Sequence, residues 1–407
     1  MTSDTAVAAT RSTVRWLPVV MLALGAFCAG TDNYLIAGIL SDLSADLHMS
    51  VAGGGLFVTA YSLAYALGSP VVMTLVRVRS PRRLLLVSIA AFVVVNLLAA
   101  VAWEPWVMAV ARIAAGCLAG LYSPLAAAAA AGMVPPERRG RALAIVMGGI
   151  SIATLAGVPI GIWLASLWTW RSAFVFVAAL AVLATVGIAL SVTAGGAAPS
   201  VPLRQRLAPL RRPAVLLALV VTIAGMCAGL MVYTYVEPIF AAAPAVGAGA
   251  VGALIMAHGL GALVGLGFGS SLVDRFGSRP VLLGTLAVFT VDMALFPLAS
   301  QTLVSTFVYV FVWGIVGWAF LPAQQHSMIA DAPPELSPML LSLNGSAMYL
   351  GIALGSAIGG VVISGLGAGH IWIFATAFAA IGLILSFVRH TPPATATADD
   401  AGGSTVR

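Results

Sequence analysis

Residues Arg141 to Phe174 read RALAIVMGGISIATLAGVPIGIWLASLWTWRSAF. The stretch is apolar enough to cross a bilayer, yet glycine and proline punctuate it. Gly148 and Gly157 bracket eight residues, and Gly157-Val-Pro159-Ile-Gly161 follows at once, so small residues recur along one side of a helix. Pro159 has no N–H for the helix ladder, which predicts a bend. A face of glycines lets a neighbouring helix approach closely. The carbonyl that the proline frees must be satisfied within the protein, because lipid offers no donor. A helix of this kind belongs in a packed bundle, not alone in lipid.

The rest of the chain supplies the bundle. Of 407 residues 61% are hydrophobic and 8% charged, with a mean hydropathy of +1.07. That composition leaves no solvated surface for soluble domains. Apolar runs of about 18 residues or more recur, each near the ~20 residues that cross a ~30 Å hydrocarbon core. We read twelve, six in each half. The expected fold is an all-α integral membrane protein, with twelve transmembrane helices in two pseudo-symmetric six-helix bundles. The expected divisions are a cytoplasmic tail over 1–15, a bundle over 16–192, a polar central loop over 193–213, a second bundle over 214–388 and a tail over 389–407. Residues 1–15 are too polar for a signal peptide, so the first helix is expected to be retained.

All nineteen basic residues are arginine. With the N-terminus in the cytoplasm, seventeen of them fall on the inner side, leaving only Arg171 outside and Arg112 within a helix. The positive-inside rule therefore sets both termini in the cytoplasm. Arginine in place of lysine, with so much Ala, Gly and Val, suggests a GC-rich bacterial genome and hence a bacterial inner (plasma) membrane. The net charge of +6 reports topology and contact with anionic lipid heads, so no nucleic-acid partner is required. Cys28, Cys117 and Cys227 lie on separate apolar segments and read as packing residues. We find no phosphate-binding loop, no Gly-x-Ser-x-Gly elbow and no His-Glu-x-x-His, and the five histidines do not cluster. The chain is expected to be neither an enzyme nor an ATP-driven pump, and to need no metal or cofactor.

The two halves look duplicated at an offset of 197 residues. Leu75-Val-Arg77-Val-Arg79-Ser80-Pro81-Arg82 falls on Leu272-Val-Asp274-Arg275-Phe-Gly277-Ser-Arg279, and Gly148 falls on Gly345. Two similar bundles sharing an interface are the architecture of alternating-access carriers, with a substrate site near the midplane.

An ionisable residue in hydrocarbon is a functional candidate by default, since it costs a few kcal/mol or more. Asp32 is about sixteen residues into helix 1, roughly 24 Å, and Arg112 enters helix 4 from the outside to about 9 Å; both lie in the outer third and can pair. Such a pair is either a structural bridge or a coupling site. An aspartate beside Arg⁺ is held ionised, and takes a proton when substrate or a conformational change removes its partner. Asp292 on helix 9 and His258 on helix 8 approach one depth from opposite sides, as a structural contact or a second proton relay. Glu237, before Pro238, ends helix 7 at the outer surface, where a carboxylate can be solvated. Polar and aromatic residues at Asn33, Tyr34, Tyr61, Tyr65, Tyr122, Tyr233, Trp313, Gln324, Gln325, Asn344 and Tyr349 are candidate cavity liners. Such a lining suits amphiphilic or cationic organic substrates better than strongly hydrophilic ions.

The order of Gly148, Gly157, Pro159 and Gly161 resembles the fifth-helix antiporter motif of the major facilitator superfamily, specifically its twelve-helix drug:proton antiporters of the chloramphenicol- and arabinose-efflux type. Trp170-Arg171-Ser-Ala-Phe174 looks like the start of the sixth helix in that group. Arg112 to Gly116, with Gly120-Leu-Tyr-Ser-Pro124, resembles the helix 4 motif, and Thr31-Asp32-Asn33-Tyr34 stands where that family often carries an acidic residue. The loops between helices 2 and 3 and between 8 and 9 resemble its cytoplasmic gating motif. The second copy keeps Asp274, Arg275, Gly277 and Arg279; in the first, Arg77 replaces the aspartate and Ser80 the glycine, while Arg82 remains. The resemblance implies a secondary active transporter, exchanging a small amphiphilic organic compound or drug for protons, with the proton gradient as its energy source. It works as a monomer in that reading. An uptake permease or sugar-efflux facilitator is the rival carrier, and a ligand-binding membrane sensor the rival of another class.

Overall fold

A computed structural model describes residues 16–75, 80–192, 207–241, 246, 250–330 and 336–388, with backbone alone for 69–75 and 338. Among the described residues there is no strand. Helices α1 (Leu17–Leu35), α2 (Val51–Leu75), α3 (Pro81–Ala100), α4 (Pro105–Gly132), α5 (139–167) and α6 (Trp170–Ser191) form the first bundle. Helices α7 (Pro213–Thr234), α8 (Val251–Phe276), α9 (Ser278–Ala294), α10 (Leu303–Ala330), α11 (Ser337–Leu366) and α12 (Ile371–Val388) form the second. Eleven spans are long and apolar enough to cross a bilayer. The twelfth, α9, has 17 residues of regular helix, and the following turn Phe296–Ala299 carries it to about 33 Å.

Proline and glycine set the ends. Pro81, Pro105 and Pro213 open α3, α4 and α7, where the missing N–H costs nothing. Gly277 ends α8 at φ +84°, a conformation that a side chain would strain.

The two bundles repeat one packing scheme. In the first, α1 packs on α5 and α6, α2 on α4, and α3 on α4 and α6; shifting every helix by six reproduces the contacts of the second. Between bundles, α2 packs on α11 and α5 on α8, the same pairing with the halves exchanged.

The bend expected in α5 is a π turn, Ala153–Gly157, between helices Arg139–Ile152 and Val158–Leu167, with Pro159 just beyond it. Gly149, Gly157 and Gly161 bring α5 onto α1: a Cβ there would run into the Ala23 carbonyl, the Thr31 hydroxyl and Leu35. Gly148 departs from the expected glycine face. It stands beside Gly149, a quarter-turn or so away, and a Cβ there would meet nothing within 4 Å. The first apolar run of the sequence, Trp16 to Leu40, is not one helix: α1 stops at Leu35 and the chain folds over the bundle as a 3₁₀ turn, Ile36–Gly38, and a short helix, Leu40–Asp46.

Arg82, Arg83, Arg138, Arg139, Arg141, Arg211, Arg212, Arg275 and Arg279 all lie at helix ends on one face of the molecule, hereafter the arginine-rich face. Arg171 stands on the opposite face, where it pairs with Asp46 at 2.6 Å and donates to the Ala102 carbonyl at 3.0 Å. The hydrogen bond from Arg171 to Asp46 holds that carboxyl below the usual carboxylate range. Trp103, Trp106, Trp163 and Trp168 are exposed at this opposite end, as in an interfacial aromatic belt. Leu190, Val304 and Val361 are among the apolar side chains exposed around the outside, where lipid takes the place of water. The tails over 1–15 and 389–407, residues 193–206 of the central loop, and Arg77 and Arg79 lie outside the described residues.

Candidate functional site

Four successive residues at the end of α1, Thr31 to Tyr34, are all buried. Asp32 and Arg112 are 0% and 1% exposed, and their side chains meet, Nη1 to Oδ1 at 2.7 Å. Arg112 also donates through Nη2 to the Asp32 carbonyl at 3.1 Å. Its guanidinium lies over the Tyr61 ring, 4.4 Å from the centroid, with Phe174 at 5.9 Å on another side. The site is not saturated. Asp32 Oδ2, Arg112 Nε, the Thr31 hydroxyl and both amide atoms of Asn33 are buried with no hydrogen-bond partner among the described residues. Buried polar atoms are nearly always bonded, so such a run marks a place where a proton, a water or a ligand is accommodated.

On the other side of α1, Tyr34 reaches across to the second bundle. Its ring meets Tyr233 of α7 edge-on at 5.6 Å and Trp318 of α10 at 6.2 Å. Tyr233, Trp313 and His258 complete the cluster, with His258 4.4 Å from Trp313 and 5.1 Å from Tyr233. The Tyr233 hydroxyl and His258 Nδ1 have no partner among the described residues. Phe289, Met226 and Thr154 also line the space between the rings, which is ≈ 20 Å³, on the scale of a single water. No carboxylate and no arginine lines it. Trp318, Phe289 and Thr154 were absent from the expected lining; the place of Thr154 on α5, which meets α8 across the interface, is the one signal available, and Phe289 comes from α9, which packs within its own bundle.

Other expected liners have other partners. Tyr61 donates to the Ala29 carbonyl and Tyr122 to the Leu22 carbonyl, so both fasten α1 from behind. Gln324 donates to the Ala218 carbonyl, and Asn344 pairs with Thr222 at 2.7 Å, tying α10 and α11 to α7. Gln325 is half-buried. Tyr65 and Tyr349 stack across the interface of α2 and α11, with centroids 3.4 Å apart. Asp292 and His258 are both buried, but no bond joins them: α10 packs against both α8 and α9, and Asp292 lies beside Tyr309.

Glu237 stands half-exposed just past the end of helix 7, as expected, and in addition accepts from Ser41 N–H at 3.0 Å, in the first turn of the short helix Leu40–Asp46 of the other bundle. Two further hydrogen bonds cross the interface in this half, from Thr59 to the Ala353 carbonyl at 3.3 Å and from Ser356 to the Gly55 carbonyl at 2.7 Å. Gly259 of α8 lies against the Thr154 carbonyl of the π turn. All of these contacts lie from the midplane toward the face away from the arginines. Toward the arginine-rich side, Gly345 stands one turn below Tyr349 on the face of α11 that meets α2, and Gly148 two turns below Leu155 on the face of α5 that meets α8; a Cβ at either would meet no described atom within 4 Å.

In the loop motif, Arg82 caps the end of α6, donating to the Val192 and Ala189 carbonyls at 2.7 and 2.8 Å. Asp274, Arg275 and Arg279 are exposed and make no ion pair among the described residues.

Two repeated six-helix bundles that meet around a midplane cavity are the fold of a membrane carrier. The chain belongs to the Major Facilitator Superfamily, whose profile matches residues 22–249 and again 217–405. It is therefore a multi-pass membrane transporter and not an enzyme. It is 31% identical to the inner membrane transport protein YdhP of Escherichia coli K12, over 91% of this chain and 95% of that protein. It is 27% identical to a chloramphenicol resistance protein of Streptomyces lividans, over 95% and 99%, and 24% identical to a probable sugar efflux transporter of Pasteurella multocida, over 90% of each. Among solved structures, a bacterial homologue of the human lysosomal transporter Spinster, in an inward-facing and occupied conformation, superposes with a TM-score of 0.70 at 16% identity. It covers 91% of this chain and 96% of that one, a likeness of fold.

Proposed function

We propose that this transporter exports a small, uncharged aromatic amphiphile across a bacterial inner membrane, in exchange for protons. The observation that carries the reading is that α1 bears both working parts. Asp32 faces Arg112 in its own bundle, and Tyr34, two residues on, faces the aromatic cavity between bundles. A proton on Asp32 removes the charge that holds Arg112, and whatever that does to α1 is felt at Tyr34. The arginine-rich face is the cytoplasmic one under the positive-inside rule, so an exporter loads its substrate from that side. In this state the space between the rings holds about one water, so a solute enters only where they part; five aromatic walls with no carboxylate or arginine then favour a flat uncharged solute over the cations that the sequence also allowed.

Everted vesicles carrying the protein test this. Adding a transported aromatic compound should dissipate an inside-acid gradient, and the protein should protect an exporter-deficient strain against neutral aromatic toxins more than against quaternary cations. Transport that ignores the gradient overturns the coupling; protection against cations alone overturns the substrate class.

A further inference from the structure

On the lipid-facing side of the second bundle, α8, α9 and α10 enclose an apolar groove of ≈ 450 Å³. Phe268 and Phe276 form one wall, Val281 and Val288 the other, and Ile315 the floor. From Phe268 to Phe276 the groove runs about 12 Å along the helix. One leaflet of a ~30 Å core is ~15 Å deep, so a groove beginning at the α8–α9 turn spans most of the leaflet on the arginine-rich side.

Gly284 leaves this space open. A Cβ there would meet nothing within 4 Å, so the glycine does not serve helix packing within the chain. The duplicated position, 197 residues earlier, is Val87, which projects outward and is exposed. The second bundle thus lacks a side chain where the first has one. At the rim stand two arginines. The Arg275 guanidinium lies 5.1 Å over the ring of Phe276, itself part of the wall, and Arg279 adjoins Pro280, which also lines the groove. Both are exposed without an acidic partner among the described residues, and with Asp274 the turn keeps a net charge of +1.

We propose that this groove seats an acyl chain of an anionic phospholipid whose phosphate is held by Arg275 and Arg279. Guanidinium groups bind phosphate through paired N–H donors. Apolar burial gives no preference between lipids inside a bilayer, so selectivity comes from the headgroup and the fit of the chain. Two arginines at the surface, one offset by Asp274, favour an anionic over a zwitterionic head about five- to tenfold.

The full chain, purified in detergent with equimolar phosphatidylglycerol and phosphatidylcholine, is examined by native mass spectrometry. The expected result is a retained phosphatidylglycerol in five- to tenfold excess over phosphatidylcholine. Arg275→Gln with Arg279→Gln should bring the ratio to about one, and Gly284→Phe, which fills open space, should reduce retention of both lipids. Equal retention by the unaltered protein overturns the proposal. So does a preference that survives the arginine changes, or retention that survives Gly284→Phe, since either places the lipid elsewhere. A free fatty acid retained in place of phosphatidylglycerol overturns the phosphate contact.

Discussion

Replacing Asp32 and Arg112 together separates coupling from scaffolding. Each partner alone is dangerous to remove: Arg112→Ala strands a carboxylate at 0% exposure and should cost about 3–5 kcal/mol of stability. Asp32→Asn with Arg112→Gln removes both charges and keeps hydrogen-bonding shape, so stability should return to within ~1 kcal/mol of the parent or exceed it. Transport should not return. One proton moving down a gradient of one pH unit, with the membrane potential clamped at zero, supplies ~1.4 kcal/mol, which sustains about a tenfold gradient of an uncharged substrate. Proteoliposomes of the double variant should therefore equilibrate labelled substrate by counterflow but fail to concentrate it, with the accumulation ratio falling from about ten to about one. Arg112→Lys keeps the charge but loses the planar fork on Asp32 and the stacking on Tyr61, and should rescue only in part. A double variant that still concentrates substrate tenfold per pH unit would refute the reasoning, and Asp292 or Glu237 would then have to carry the proton.

Glu237→Gln turns a charge-assisted bond to Ser41 into a neutral one, at about 1 kcal/mol, so double electron–electron resonance between the bundle ends should record about a fivefold rise in opening on that face. Gly149→Ala should lower stability by about 1–3 kcal/mol, because its Cβ enters the Ala23 carbonyl, whereas Gly148→Ala gains up to ~1 kcal/mol of helix propensity; thermal unfolding showing the reverse order would misplace α5. Gly345→Leu should hinder the approach of α2 to α11 on the arginine-rich side, seen as increased labelling of cysteines placed there; unchanged labelling would contradict it. Arg171→Gln should cost under ~1 kcal/mol at pH 7, as half-exposed pairs do. Since Asp46 is depressed in the folded protein, the pair stabilises above the unfolded carboxylate range of ~3.9 and is lost as the pH falls through the folded value. Parent and variant should therefore unfold alike in strong acid.

The fold was legible because a bilayer demands long apolar runs, and twelve of them leave little freedom in topology. The bend in α5 was legible too, since Gly157-Val-Pro159 marks where the ladder must break, although a π turn rather than a simple kink absorbs it. Depth along a helix can be counted, which is why Asp32 and Arg112 were matched before their contact was known. Azimuth cannot. Asp292 and His258 share a depth, yet α10 packs against the helices of both. Tyr61 and Tyr122 show the same limit: a buried tyrosine needs an acceptor, and any exposed carbonyl turn can provide one, so the sequence does not say whether the hydroxyl faces a cavity or a neighbouring backbone. The partner of Glu237 was not legible, because the N–H of Ser41 comes within reach only where the end of α1 folds over the bundle.

These contacts converge on α1 and the π turn beside it. Gly157, the last residue of that turn, packs against Thr31, the neighbour of Asp32; Thr154, within the turn, presents its carbonyl to Gly259 of α8 and lines the aromatic cavity. Any displacement of α1 at Asp32 is therefore passed to the bundle interface through backbone approaches that only glycine permits, which is the route the proposed proton coupling would use. Gly148 and Gly345 occupy duplicated positions on α5 and α11, and a Cβ at either would meet no described atom within 4 Å. Duplication thus places a small residue at the same level of α5 and α11, the helices that meet α8 and α2 across the interface.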